Sequence, residues 1–146
     1  MYLFDTNHCS KILQGHNFIL EKLKEIDNSL MATCTIVCGE LFYMVNKSQQ
    51  KESNLSLVEE FLGNIQIYSV DYRSAQMYGE LKISLFEHFG PKEKSKRRGT
   101  KLESLGFKEN DLWIAAIAKS HELIIVSADS DFKRMQEAIS LEVEQW

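Results

Sequence analysis

A single proline, Pro91, stands in 146 residues, and there are no internal repeats and no low-complexity tracts, so nothing along the chain marks a linker or a second domain. Cysteine is scarce and odd in number. Cys9, Cys34 and Cys38 leave one thiol over, and no basic-then-apolar leader precedes a small-residue cleavage site. A disulfide framework is therefore not expected, and the thiols are read as reduced. The spacing of Cys34 and Cys38 lacks the two further ligands that a tetrahedral zinc site needs, since His8, His16, His88 and His121 form no matching pair. Long apolar runs are missing too. None approaches the roughly 20 residues of a membrane-spanning helix, so no membrane partner is expected and a cytoplasmic location is the default.

What is present is globular composition: 44% hydrophobic and 26% charged residues, in a chain long enough to bury a core. The net charge of -4 does not describe a bulk polyanion binder, yet the charge is unevenly spread. The stretch "PKEKSKRRGTK" carries Lys92, Lys94, Lys96, Arg97, Arg98 and Lys101 against Glu93 alone. Such a run is either a solvated loop or a loop that contacts phosphates.

Short β-forming runs alternate with helical patterns. "YLF" at the start and "ELIIVS" at Glu122 to Ser127 read as buried parallel strands; Leu30 to Thr35, Ile65 to Val70 and the tail "SLEVEQW" read similarly. Helical spacing joins Phe18 to Ile26, Leu41 to Val45, Leu55 to Leu62, and Ala75 to Phe89 with Asp71 as its cap. "DLWIAAIAKS" is a further helix former, with Asn110 expected as its cap. This alternation predicts a parallel sheet covered on both faces, whose ligands gather beyond the carboxyl ends of the strands.

Four acids are predicted at that edge. Asp5 closes the first strand, Asp129 follows "LIIVS" after Ala128, Glu40 lies early in the helix after the second strand, and Asp111 opens "DLWIAAIAKS". Singly, each has a structural explanation: Glu40 and Asp111 suit helix N-termini, and Asp129 and Asp131 suit turns. Together they do not, because two carboxylates about 4 Å apart repel by roughly 4 kcal/mol at an effective dielectric near 20. Oxygen ligands without histidine or thiolate favour Mg²⁺ or Mn²⁺ over zinc, which points to phosphodiester hydrolysis.

"MYLFDTN", "VCGELFY", "ENDLWIAAIAKSHELIIVSADSDF" and "LEVEQW", in that order across nearly the whole chain, resemble a PIN domain of the VapC-type toxin class. The resemblance implies a three-layer α/β/α fold with a central, mostly parallel sheet of about five strands, in one domain over residues 1–146 with the basic loop inserted around 90–109. It further implies a Mg²⁺- or Mn²⁺-dependent endoribonuclease, the toxin of a toxin–antitoxin pair, cutting RNA to leave a 5′ phosphate. The family's acidic positions match Asp5, Glu40, Asp111 and Asp129, with Asp5, Asp111 and Asp129 as metal ligands and Glu40 either a ligand or the group that deprotonates water. Asn7, Ser127 and Asp131 are expected to support the acids. The implied partners are RNA, a cognate antitoxin inserted in the acidic groove, and a second copy of the chain. "LFYMV" and Tyr72, Met77 and Tyr78 are candidate contact surfaces.

Other classes fit less well. A haloacid-dehalogenase-type phosphatase wants an acid two residues after Asp5, where Asn7 stands, and a receiver domain wants a lysine closing "IIVS". A PIN-like module that binds RNA or protein without cutting is the remaining alternative.

Overall fold

The computed structural model describes residues 1–146 and builds them around the apolar opening of the chain. In order, the elements are β1 (Tyr2–Phe4), α1 (Thr6–Leu13), α2 (Asn17–Leu23), β2 (Met31–Cys34), α3 (Thr35–Lys47), α4 (Lys51–Gly63) and β3 (Gln66–Tyr68). There follow α5 (Tyr72–Phe89), the four-residue α6 (Lys94–Arg97), α7 (Glu109–Ser120), β4 (Ile124–Val126), α8 (Ser130–Met135) and β5 (Val143–Glu144). The sheet order is β3-β2-β1-β4-β5 and every neighbouring pair is parallel. Helices α1 to α4 pack among themselves on one side; α5, α7 and α8 form the other helical layer of an α/β/α arrangement. No helix is long and apolar enough to cross a membrane.

The order reverses between β1 and β4, one running on to β2 and the other to β5. Leu3 pairs with Ile125 and Phe4 with Val126, so the two strands end level and Asp5 meets Ser127 across their ends. Leu3, Phe4, Ile125 and Val126 are all fully buried, which holds this edge rigidly. Helix α7 lies close by through Ala115, Ala116 and Ala118, small side chains with no exposed surface beyond 1%.

Side-chain caps open α1, α5 and α8. Asp71 accepts from Ser74 N–H at 2.7 Å while Ser74 Oγ accepts from Asp71 N–H at 2.8 Å, the reciprocal box that opens α5. One expectation needs correction. Asn110 is not the cap of α7: the helix begins at Glu109, Lys108 holds the cap position, and the Asn110 amide is used elsewhere. Asp129 and Asp131, for which a turn was the structural alternative, open a helix instead: Asp129 caps α8 and Asp131 lies in its first turn. Caps and turns draw on the same short polar residues, so the sequence alone does not separate them.

The segment between α5 and α7 is anchored rather than loose. Leu102 and Phe107 are buried, and Gly106 ends a short 3-10 turn in the left-handed region at φ +81°. Arg134 donates to Leu105 O at 3.0 Å and lies 4.4 Å from the Phe107 ring centre and 5.3 Å from that of Phe89. A side chain at Gly106 would press on that guanidinium, since a Cβ there meets Nη1 at 3.0 Å. Tyr78 also departs from expectation: it is half-buried and stacks on Trp113 at 3.9 Å, whereas Tyr72 is 78% exposed. All three cysteines are free and buried, and burial pushes the Cys34 thiol up to about 11.

Candidate metal centre

Beyond the ends of β1 and β4 lies a cleft of about 260 Å³ lined by Asp5, Glu40, Asp111 and Asp129, together with Thr6, Asn7, Tyr43 and Lys108. It occupies the point of strand reversal, where the first turns of flanking helices also converge. A neighbouring apolar cleft of about 220 Å³, between α1, α3 and α4, shares Met44 with it but holds no ionisable side chain.

Each acid is fixed differently. Asp5, 4% exposed, accepts from His8 N–H at 2.7 Å and faces His8 Nδ1 at 2.9 Å through the same oxygen. Its other oxygen accepts from Ser127 Oγ, which in turn accepts from Asp129 N–H at 3.0 Å. Asp129 Oδ1 accepts from Asp131 N–H at 2.9 Å. A single chain of hydrogen bonds thus ties the end of β1 to the start of α8. Glu40, in the second turn of α3, accepts from the Asn110 amide at 2.7 Å and from the Thr6 hydroxyl, so both its oxygens are held.

Asp111 is the exception. Its Oδ2 is buried and accepts no hydrogen bond. Burial pushes its carboxyl up to about 6, with Asp129, Asp131 and Glu40 adding to the rise and Lys108 opposing it. The Asp131 carboxyl is also raised, first by burial and then by Asp129, while the Asp111 carboxylate raises the Lys108 ammonium.

Oxygens of Asp111, Asp129 and Asp131 lie within 4.8 Å of one another. Carboxylates this close raise one another's cost of ionisation, and an orphaned oxygen among them is not a stabilising feature. The all-oxygen donor set and the unpartnered Oδ2 fit a hard divalent cation.

The cleft therefore gathers Asp5, Glu40, Asp111, Asp129 and Asn7, with Ser127 behind them. Asp131, expected only to support, joins the three-carboxylate cluster. None of Lys92, Lys94, Lys96, Arg97, Arg98 and Lys101 lines the cleft; its cation is Lys108, which the charge run had overshadowed. Lys108 and Asp111 stand three residues apart at a helix start, a spacing at which side chains meet, and that was the available signal. Thr6, His8 and Asn110 were also missed as partners of the acids, because their contacts cross from one element to another or depend on the tight turn after β1.

The family model of the PIN domain matches residues 2–138. Ribonuclease VapC2 of Rickettsia felis is 30% identical over 149 residues, spanning 100% of this chain and 98% of that protein. Ribonuclease VapC2 of Haemophilus influenzae is 29% identical over 147 residues, spanning 99% of this chain and 97% of the relative. The crystal structure of VapBC2 from Rickettsia felis bound to a DNA fragment from its promoter superposes with a TM-score of 0.75 at 27% identity, over 99% of this chain and 98% of the other. Shared along essentially the full length of these proteins, and not only around the acids, the likeness shows that the chain belongs to the PIN domain family.

Proposed function

We propose that this chain is a Mg²⁺- or Mn²⁺-dependent endoribonuclease, the toxin of a toxin–antitoxin pair, acting as one nuclease domain over residues 1–146 with the segment around 90–109 as an insertion. The observation that carries the reading is the trio of carboxylates within 4.8 Å, one with an unpartnered buried oxygen, at the sheet's point of reversal. Relatives named as ribonucleases support the substrate class.

Asp111 and Asp129 would hold the ion, with Asp131 beside them and Asp5 steadied through Ser127. When bound, such an ion supplies Lewis acidity at phosphoryl oxygens and a lowered pKa for water. Glu40, its carboxylate oriented by Thr6 and Asn110, takes a proton from the attacking water or serves as a further ligand. Water adds to phosphorus, the bond to the 3′ oxygen breaks, the leaving oxygen takes a proton from solvent, and the products are a 3′ hydroxyl and a 5′ phosphate. Asn7, exposed at the mouth, offers polar contacts to the backbone. Lys92, Lys94, Lys96, Arg97, Arg98 and Lys101 supply sequence-independent affinity for a polyanion. Neutralising Lys96, Arg97 and Arg98 together is expected to flatten the salt dependence of RNA binding and leave metal binding intact, as read by titration at several ionic strengths.

The antitoxin is expected to lay an apolar segment along the cleft of Leu13, Leu41, Val45 and Val58 and, past Met44, to set a cation among the carboxylates. A second copy of the chain is the other expected partner. The deciding experiment is digestion of a structured RNA panel with Mn²⁺, with and without chelator. Cleavage that disappears with chelator and with Asp111→Asn supports the reading; RNA that binds but is never cut hands it to the non-catalytic binding module.

A further inference from the structure

Lys108 is the one cation lining a cleft of carboxylates. Its Nζ stands 3.8 Å from Asp111 Oδ2 and 3.6 Å from Asp129 Oδ2, with the side chain 70% exposed. Both are ion-pair distances, longer than hydrogen bonds. The ammonium is shared between two acids and faces the very oxygen of Asp111 that has no hydrogen-bond partner. Asp131 completes the negative group around it.

The backbone beneath this charge is fixed. Phe107 is 1% exposed, Lys108 holds the cap position of α7, which begins at Glu109, and Arg134 locks the preceding turn at Leu105 and Gly106. The base of the side chain is thus held while its tip, on four methylenes, remains free to leave. Lysine suits this role, being a compact, strongly hydrated point charge on a flexible stem. The exposed ammonium makes ion-pair contacts and no hydrogen bond to either acid, so an arriving cation can take its place.

Resting on the metal-dependent nuclease reading, we propose that Lys108 is a tethered counter-ion: it neutralises Asp111 and Asp129 in the metal-free protein, gives way when a divalent ion enters, and then offers its ammonium to an RNA backbone phosphate at the same cleft. A divalent ion held by those carboxylates would repel an ammonium on the same oxygens. With its place taken, the nearest compensation for Lys108 is the polyanion the cleft receives. The six cations of residues 92–101 line no part of this cleft, so the contact falls to Lys108.

The test uses the full chain, first without RNA. Mn²⁺ affinity measured calorimetrically is expected to rise at least about fivefold in Lys108→Gln, the weight of one unit charge about 4 Å away in a water-like dielectric. Lys108→Arg, which keeps the charge, should stay close to the parent. In the unaltered protein labelled with ¹⁵N-lysine, the Lys108 Nζ resonance should shift as Mg²⁺ is added and saturate with the calorimetric constant; this readout needs no variant. With Ca²⁺ as a non-cleaving probe ion, the salt slope of single-stranded RNA binding should fall by about 0.7 in Lys108→Gln. Unchanged or weaker Mn²⁺ binding by folded Lys108→Gln overturns the proposal, as does equal tightening in Lys108→Arg, an immobile Nζ resonance or an undiminished slope. Failure of the nuclease reading looks different: unaltered protein that takes up Mn²⁺ and never cuts RNA.

Discussion

Asp71 and Asp111 are the same side chain at the starts of two helices, α5 and α7, that pack against each other, yet their surroundings push them in opposite directions. Asp71 accepts the Ser74 N–H, and that bond, with the Ser74 hydroxyl, holds its carboxyl below the ordinary value. Asp111 has a buried oxygen with no donor and three acids for neighbours, and burial lifts it to about 6. One helix start is satisfied by the chain itself. The other is complete only with something positive in front of it, which is the physical difference between a cap and a ligand.

Asp111→Asn breaks the comparison most sharply. Mn²⁺-dependent RNA cleavage is expected to fall by more than about 100-fold, beyond the 10–100-fold typical of groups that only support a ligand. The metal-free protein should gain thermal stability, because a buried carboxylate among acids has been neutralised. Lost stability in the metal-free state would make Asp111 structural. Adding Mn²⁺ to the parent is the next largest effect: saturation at about 100 times the dissociation constant stabilises by about 2.7 kcal/mol, read as a rise in melting temperature that EDTA reverses and Asp111→Asn abolishes. Asp71→Ala should produce the smallest change, a lowered urea midpoint with Mn²⁺ binding untouched.

The pH dependence of that last loss has a definite sign. Since the Asp71 carboxyl is held below its ordinary 3.8, its contribution is fully present above that value and vanishes as pH falls through the lower, folded-state value. Urea curves for Asp71→Ala and the parent should therefore differ at pH 6 and converge in acid. A gap that persists below the folded-state value would assign the effect to packing instead of the charge.

Much of the frame was legible because it depends on local pattern. "YLF" and "IIV" became β1 and β4, as short β-forming runs bounded by polar residues suit buried parallel strands, and Asp71 was readable as a cap because capping lies within three residues. Asn110 was misread for the complementary reason. Its amide serves Glu40, seventy residues earlier in the chain, and nothing within "KEND" announces that partner. Asp131 was expected only to support the acids, and α8 brings its carboxylate within 4.8 Å of those of Asp129 and Asp111. Lys108 was hidden by contrast: six cations fall within residues 92–101, while the one that reaches the acids sits alone after Phe107.

The order of residues by itself determined the alternation of strands and helices and the supply of carboxylates near strand ends and helix starts. Only the tertiary structure decided which oxygens come within 4.8 Å, which of them loses its water without gaining a donor, and which ammonium stands guard. Propensity acts over a few neighbouring residues, whereas desolvation and Coulomb attraction act through space, and space is allotted by packing.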